Sequence, residues 1–276
     1  VVRLEEIFRQ AQESMIVVNA HRINKGEPPV LNIKDKDFFF IREESHEGVL
    51  EKIKELCKDR LPKYSGYNSC QGIQILSPMK KGICGVINLN KELQKVLNPP
   101  HFSKNERQFR DIIFRQGDKV MQIRNNYKMK WQSLSDPDYE GEGVFNGDMG
   151  IISGVDNEDQ IIEVIYDGER IVKYEGTDLD ELELSYAVTV HKSQGSEFPI
   201  LVMPVTSGPP MLLTRNLLYT ALTRAKQMVV LVGQERYIYS MIKNNYVTRR
   251  YSGLEYRLQR LGNWNEHSEV SISSQE

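Results

Sequence analysis

The 276-residue chain predicts an α/β fold, a parallel sheet covered by helices on both faces and interrupted by a small all-β insert. Three observations carry this. The near-continuous apolar runs Ala187-Val188-Thr189-Val190 and Ile200-Leu201-Val202-Met203 have the composition of strands buried on both faces. Stretches with apolar residues at intervals of three and four alternate with such runs, as in helix–strand–helix folds. From about Gly117 the rhythm changes to short β-type runs separated by Gly, Asn and Asp.

In chain order, Leu4, Ile7, Phe8, Ala11, Met15, Val18 and Ala20 predict one amphipathic helix over 4–24, stopped by Gly26 and Pro28-Pro29. Phe38 to Ile41 reads as a strand, and Glu47 to Arg60 as a helix closed by Pro62. Ile73 to Ser77 reads as a buried strand, followed by a helix from Gly85 to Leu97 that stops at Pro99-Pro100. The β insert holds Lys119–Ile123, Met149–Val155, Ile161–Tyr166 and Arg170–Tyr174. A helix from Thr214 to Ala225, a strand from Met228 to Val232 and a helix from Gln234 to Lys243 resume the α/β pattern. The division that follows is 1–116 and 185–245 for one α/β domain, 117–184 for the insert, and 246–276 for an extension ending in a polar tail.

Composition bounds the function. Hydrophobic residues at 39% and charged residues at 27% describe an ordinary globular chain. No apolar run approaches the roughly 18 residues of a membrane span, and the N-terminus lacks signal-peptide character, so a cytoplasmic protein is expected. Cys57, Cys70 and Cys84 match no common zinc spacing and read as reduced thiols; no metal site is expected. The net charge of −2 conceals a division: residues 156–183 carry eleven acids against Arg170 and Lys173, a balance of −9, which leaves +7 elsewhere. A basic surface for a phosphate backbone is therefore available.

Three stretches can carry chemistry. Thr189-Val-His-Lys-Ser-Gln-Gly-Ser-Glu-Phe198 runs from an apolar strand into a polar loop with a glycine and on to a second strand. Strand-end loops of open α/β sheets bind ligands, although the composition alone equally describes a solvated turn. Tyr219-Thr-Ala-Leu-Thr-Arg-Ala225 places Arg224 just before a buried strand, where it suits either a γ-phosphate contact or a surface ion pair. Phe8 and Arg9 suit stacking on a base and contact with a phosphate, or simple core packing at Phe8. Asn125, Tyr127, Lys128, Lys130 and Trp131 combine aromatic and basic groups beside the insert, and Lys243, Arg249, Arg250, Arg257 and Arg260 form a basic C-terminal stretch. Each of these two groups suits nucleic acid or a plain solvated surface.

In this order the segments resemble superfamily 1 helicases of the RecD and TraA type, which include the exodeoxyribonuclease V alpha subunit. Thr189–Phe198 resembles their motif V, Tyr219–Ala225 motif VI and Leu4-Glu-Glu-Ile-Phe-Arg-Gln10 motif IV. Ile75-Leu-Ser-Pro-Met-Lys80 is similar to the next strand and its DNA-facing loop, and Gly143-Val-Phe-Asn-Gly-Asp-Met-Gly150 to the start of an inserted SH3-like barrel. The resemblance spans roughly residues 1–245. It implies a RecA-like domain, the second lobe of an ATP-driven motor that moves 5′ to 3′ on single-stranded DNA. Phe8 would stack near the base, Arg9 and Arg224 would approach the γ-phosphate, and Glu197 would contact the ribose. Thr189, His191, Lys192 and Ser193, with Ser77, Met79 and Lys80, would hold the DNA strand.

Gly-x-x-x-x-Gly-Lys-Ser/Thr occurs nowhere in the chain, which removes the cradle for the nucleotide phosphates and the hydroxyl ligand for magnesium. Asp180-Glu181 has the look of an acidic magnesium-binding pair but sits in the acidic insert. ATP with Mg2+ is thus expected to bind mainly to an N-terminal RecA-like domain outside this chain, and the fragment alone is not expected to hydrolyse it. The start at Val1 and the missing first lobe read as a piece of a longer protein or a truncated paralogue. Nuclease or helicase subunits are further expected partners, in DNA repair or recombination. The competing readings are a non-catalytic DNA-binding or accessory helicase-like module, and a protein-interaction domain that uses the barrel.

Overall fold

The computed structural model describes residues 14–33, 36–68, 70–246, 253 and 256–258. Residues 1–245 form one compact unit and 246–276 another, the latter described only at Tyr246, Gly253 and a helical turn at 256–258. Helix α1 (Met15–Lys25) opens at Ser14, whose extended backbone (φ −80°, ψ 121°) breaks the continuous helix expected over 4–24. Asp37 explains the start: its carboxylate accepts from the amides of Met15 (2.7 Å) and Ile16 (3.2 Å), satisfying donors that the helix leaves open. Strand β1 (Phe38–Arg42) follows, then α2 (His46–Glu55). Pro62 does not end this helix. One π-helical turn, Leu56–Arg60, leads into α3 (Leu61–Ser65), where Pro62 occupies the first turn and needs no amide donor. Gly66, at φ 74°, makes the actual stop. Strand β2 (Ile73–Ser77) and helix α4 (Val86–Leu97) complete the first α/β segment.

The β-rich region starts with a hairpin of β3 (Glu106–Phe109) and β4 (Ile112–Arg115). It continues through β5 (Lys119–Gln122), β6 (Asn126–Ser133), β7 (Glu140–Val144), β8 (Met149–Asp156), β9 (Ile161–Tyr166), β10 (Arg170–Glu175), a 3-10 turn and β11 (Leu182–Leu184). These last seven strands pair antiparallel in the order β11-β5-β8-β9-β10-β6-β7. One strand face buries Val120, Met129, Val144, Ile152, Ile162, Val164 and Val172 in a core of its own, to which Phe114 of the hairpin also contributes. Inside it Tyr166 and Tyr174 join hydroxyls at 2.6 Å, and Tyr174 donates to Gln122 Oε1 at 2.7 Å, so neither buried phenol lacks a partner.

The chain then returns through β12 (Ala187–Thr189), β13 (Phe198–Val205), α5 (Arg215–Leu222), β14 (Ala225–Gly233) and α6 (Glu235–Lys243). A five-stranded parallel sheet results, ordered β1-β14-β13-β2-β12. Alternate residues of its central strands go to opposite faces: Leu201, Met203, Val229 and Leu231 pack with α1, α5 and α6, while Ile200, Val202, Met228 and Val230 pack with α2, α3 and α4. This two-sided burial is why the strands read as unbroken apolar runs. No helix among the described residues is long and apolar enough to cross a membrane.

Candidate nucleotide and nucleic-acid edges

Three neighbouring strands of the parallel sheet, β13, β2 and β12, send their C-terminal loops to one edge. Residues 206–214 follow β13, 78–85 follow β2, and 189–196 close β12; none contains an aspartate or glutamate. They carry Lys80, Lys81, His191 and Lys192. The other half of the edge, after β14 and β1, carries Glu235, Glu43, Glu44 and Glu47 against Arg42 and Arg236. A phosphate backbone is therefore favoured along the β13–β2–β12 half and opposed along the remainder.

Within this half Lys80 and His191 are exposed and Met79, Thr189 and Lys192 half-buried; Lys80, Thr189 and Lys192 line one small cleft together with Glu183. Lys192 is not a free cation, since its ammonium donates to Glu183 at 2.8 Å. Ser77 and Ser193, expected to hold the strand, are both fully buried with committed hydroxyls. Ser77 Oγ donates to the Cys84 carbonyl at 2.7 Å and accepts from the Met79 amide at 3.2 Å, closing the 78–85 loop on itself. Ser193 Oγ donates to the Val190 carbonyl at 2.8 Å. Their chemistry shapes the loops that carry Lys80 and His191.

The motif running from Thr189 is more than a strand-end loop. Thr189 sits opposite Ser77 at the C-terminal edge, whereas Phe198 pairs with Ala225, near the start of β14. Residues 190–197 thus cross β2 from one edge of the sheet to the other, on the face of α1, α5 and α6 where Val190 and Phe198 are buried. Turn hydrogen bonds stiffen the crossing: Lys192 and Ser193 donate to the Thr189 carbonyl at 3.0 and 3.2 Å, and Ser196 to that of Ser193 at 3.1 Å.

Glu197 and Arg224 stand at the far edge. Arg224 Nη1 donates to the Ser196 carbonyl at 3.3 Å and Nη2 to Thr223 Oγ1 at 3.4 Å, both long, while its buried Nε has no partner. A guanidinium held this loosely keeps donors available. Glu197 is exposed and bonded to Lys226 at 2.8 Å. That hydrogen bond, then the charge of Lys226 and more weakly that of Arg224, holds the Glu197 carboxyl below its ordinary range. A ribose hydroxyl at Glu197 would have to compete with Lys226, a partner the motif spacing gave no reason to expect. Phe8 and Arg9 lie outside the described residues.

A buried polar joint fastens the antiparallel region to the parallel domain. Asp118, fully buried, accepts from Gln94 (2.5 Å), Asn98 (2.7 Å), the Arg115 amide (2.7 Å) and the Tyr186 hydroxyl (2.8 Å). Burial raises its pKa, and these four donors oppose the rise. Lys119 beside it donates to Gln74 Oε1 at 2.7 Å, and burial pulls its ammonium down to about 8. Burial likewise pushes the Cys57 thiol up to about 12 and Cys84 up to about 11, which leaves both unreactive.

The remaining sequence candidates fall elsewhere. Lys128 and Lys130 are exposed on β6, but Glu142 faces Lys130 across the strands and Glu140 and Asp178 line the same concavity as Trp131. Asp180 pairs with Arg110, and Glu181 accepts from Gln122 and Asn126, so that acidic pair serves the turn. Arg249, Arg250 and Arg260 lie outside the described residues.

Residues 89–166 match the ATP-dependent RecD-like DNA helicase SH3 domain, and residues 184–232 the UvrD-like helicase C-terminal domain. An ATP-dependent RecD2 DNA helicase of Deinococcus radiodurans is 30% identical over 232 residues, 84% of this chain and 28% of that protein. The RecBCD enzyme subunit RecD of Mycobacterium tuberculosis is 38% identical over 122 residues, 44% of this chain and 20% of that one. The chain thus spans less than a third of the length of these relatives. A crystal structure of Pif1 helicase from Bacteroides with ADP-AlF3 and single-stranded DNA aligns at TM-score 0.48 and 18% identity, over 95% of this chain and 57% of that one.

Proposed function

This chain belongs to the RecD-type superfamily 1 helicases, of which it forms a C-terminal part, and we propose that it acts as the second motor lobe of an ATP-dependent DNA helicase. Residues 1–116 and 185–245 constitute that lobe, 117–184 its inserted barrel and 246–276 an extension. The observation that carries the reading is the 190–197 connection, which starts beside Lys80 on an edge whose three loops contain no acid and ends beside Arg224 on the opposite edge.

In this reading the acid-free edge holds single-stranded DNA. Lys80 and His191 face the phosphates, Thr189 and Met79 flank them, and Lys192 contributes only by releasing Glu183. At the other edge Arg224, with Arg9, reaches toward the γ-phosphate; Glu197 takes the ribose, and Phe8 stacks on the base. The two long hydrogen bonds of Arg224 support a guanidinium whose terminal nitrogens remain open to an external acceptor. The set is half a nucleotide site, two cations and a carboxylate without a phosphate loop, so ATP and Mg2+ would be held mainly by an N-terminal RecA-like domain. A bound nucleotide's γ-phosphate would supply the acceptor toward which the Arg224 guanidinium turns. Because Arg224 is bonded to residues at the end of the connection, its displacement moves the segment whose other end grips DNA.

Movement from 5′ to 3′, a cytoplasmic location and association with nuclease or helicase subunits complete the proposal. The last is supported by relatives named as subunits of the RecBCD enzyme. The test is anisotropy of the intact protein with labelled single-stranded oligonucleotide over a salt series, together with DNA-stimulated ATP hydrolysis. Binding should weaken with salt, and Lys80→Ala should lower the salt slope by about one phosphate contact. Salt-insensitive binding contradicts the DNA edge; salt-sensitive binding without hydrolysis favours the non-catalytic module instead.

A further inference from the structure

The loop after β13 has no assigned role, yet it forms the third member of the acid-free edge. Its sequence, Thr206-Ser-Gly-Pro-Pro-Met-Leu-Leu-Thr214, contains no charged residue. The backbone is tightly held. Asn244 Nδ2 donates to the carbonyls of Pro210 (2.7 Å) and Leu213 (2.9 Å), the Leu212 amide donates to the Pro209 carbonyl (2.9 Å), and Ser207 Oγ meets His46 Nε2 at 2.9 Å. Two consecutive prolines remove further freedom. Despite this, Met211 projects outward, 73% exposed. An apolar side chain fixed in water by a rigid loop contributes nothing to the domain's own stability.

The loop also touches the neighbouring strand's loop. A Cβ at Gly208 would lie 2.5 Å from Met79 Sδ, so the missing side chain at 208 is what lets Met79 lie against this loop. Across the edge the order is therefore Met211 and Gly208, then Met79 and Lys80, then Thr189 and His191: an apolar flank beside a cationic strip.

We infer that Met211, with Met79, is the base-contacting wall of the single-stranded DNA track, packing on nucleobases while Lys80 and His191 face the phosphates. The inference rests on the DNA edge proposed above and adds the division of that edge into a base side and a backbone side. A polarizable thioether suits any base face and would add affinity without sequence preference.

The test uses the intact protein with two probes of equal length, oligothymidylate and its abasic counterpart. Met211→Ala should weaken oligothymidylate binding about five-fold, leave abasic binding and the salt slope unchanged, and be rescued by Met211→Phe. Gly208→Ala, which pushes Met79 aside, should reproduce part of the loss. Equal weakening on both probes, or none, overturns the assignment; so does a loss confined to DNA-free ATP hydrolysis, which would place Met211 at a domain contact. Lys80→Ala separates the two levels. If it weakens both probes while Met211→Ala weakens neither, the DNA edge stands and the base wall falls; if the unaltered protein does not bind DNA, both fall.

Discussion

The Phe198 amide donates to the Arg224 carbonyl at 2.8 Å, locking the end of the 190–197 connection to the residue that enters β14. At the other end of the crossing Thr189 lies in β12 beside Ser77, so the segment is held by backbone pairing at both edges of the sheet.

For Arg224 the expected outcome follows from the role in phosphoryl transfer proposed for its guanidinium. Arg224→Ala in the intact protein should lower ATP turnover by roughly 10³-fold or more while nucleotide binding changes little. Arg224→Lys should not restore it, because an ammonium lacks the planar fork. Steady-state hydrolysis beside fluorescent-nucleotide titration checks both, and unchanged turnover would refute the assignment.

Lys119 gives the domain a pH dependence of known sign. Its ordinary pKa of 10.5 falls to about 8 in the folded chain, chiefly by burial. The folded state thus sheds the proton before the unfolded state does. The penalty, about 3 kcal/mol in full, is complete below pH 8 and disappears as pH rises toward 10.5. The Lys119 contribution should rise across that window, opposed above about pH 9 by the raised Cys57 and Cys84 thiols, and Lys119→Met should remove that contribution and make its profile fall relative to the unaltered protein. Urea midpoints of the two proteins at pH 7 and pH 9.5 decide it; parallel profiles would show that the amine is not desolvated as described.

Gly233 and Gly147 separate steric clash from backbone strain. A Cβ at Gly233 (φ 144°) would lie 2.0 Å from the Val205 carbonyl oxygen, on the neighbouring strand. At Gly147 (φ 101°) nothing lies within 4 Å. Gly233→Ala should cost about 3 kcal/mol or more, since backbone must move, and Gly147→Ala about 1 kcal/mol from conformation alone. Thermal or denaturant unfolding of the two variants measures the difference.

Much of the fold was legible because its signals are local. Apolar runs at 187–190 and 200–203 became β12 and β13, and the predicted helices after Gly85 and Thr214 became α4 and α5. Local signals misled where a distant residue intervened. The helix expected over 4–24 starts, within the described residues, only after Ser14, and Asp37, 22 residues beyond Met15, completes that start. Pro62 reads as a stop until the π turn before it absorbs the change of register. Ser77 and Ser193 sit in recognisable motifs, yet nothing in a motif says that a hydroxyl is already spent on a nearby carbonyl.

By itself the sequence determined the alternation of buried strands and amphipathic helices, the interrupting β region and the membership in a helicase family, since periodicity and consecutive motif residues are properties of the chain. Only the tertiary structure decided that Lys80 and Arg224 belong to opposite edges, that Glu197 is bonded to Lys226, and that the loop holding Met211 flanks Met79. The physical reason is strand order. With β2 lying between β13 and β12, residues far apart in sequence become neighbours along one edge, and eight consecutive residues, 190–197, are drawn out across the sheet to link its two edges.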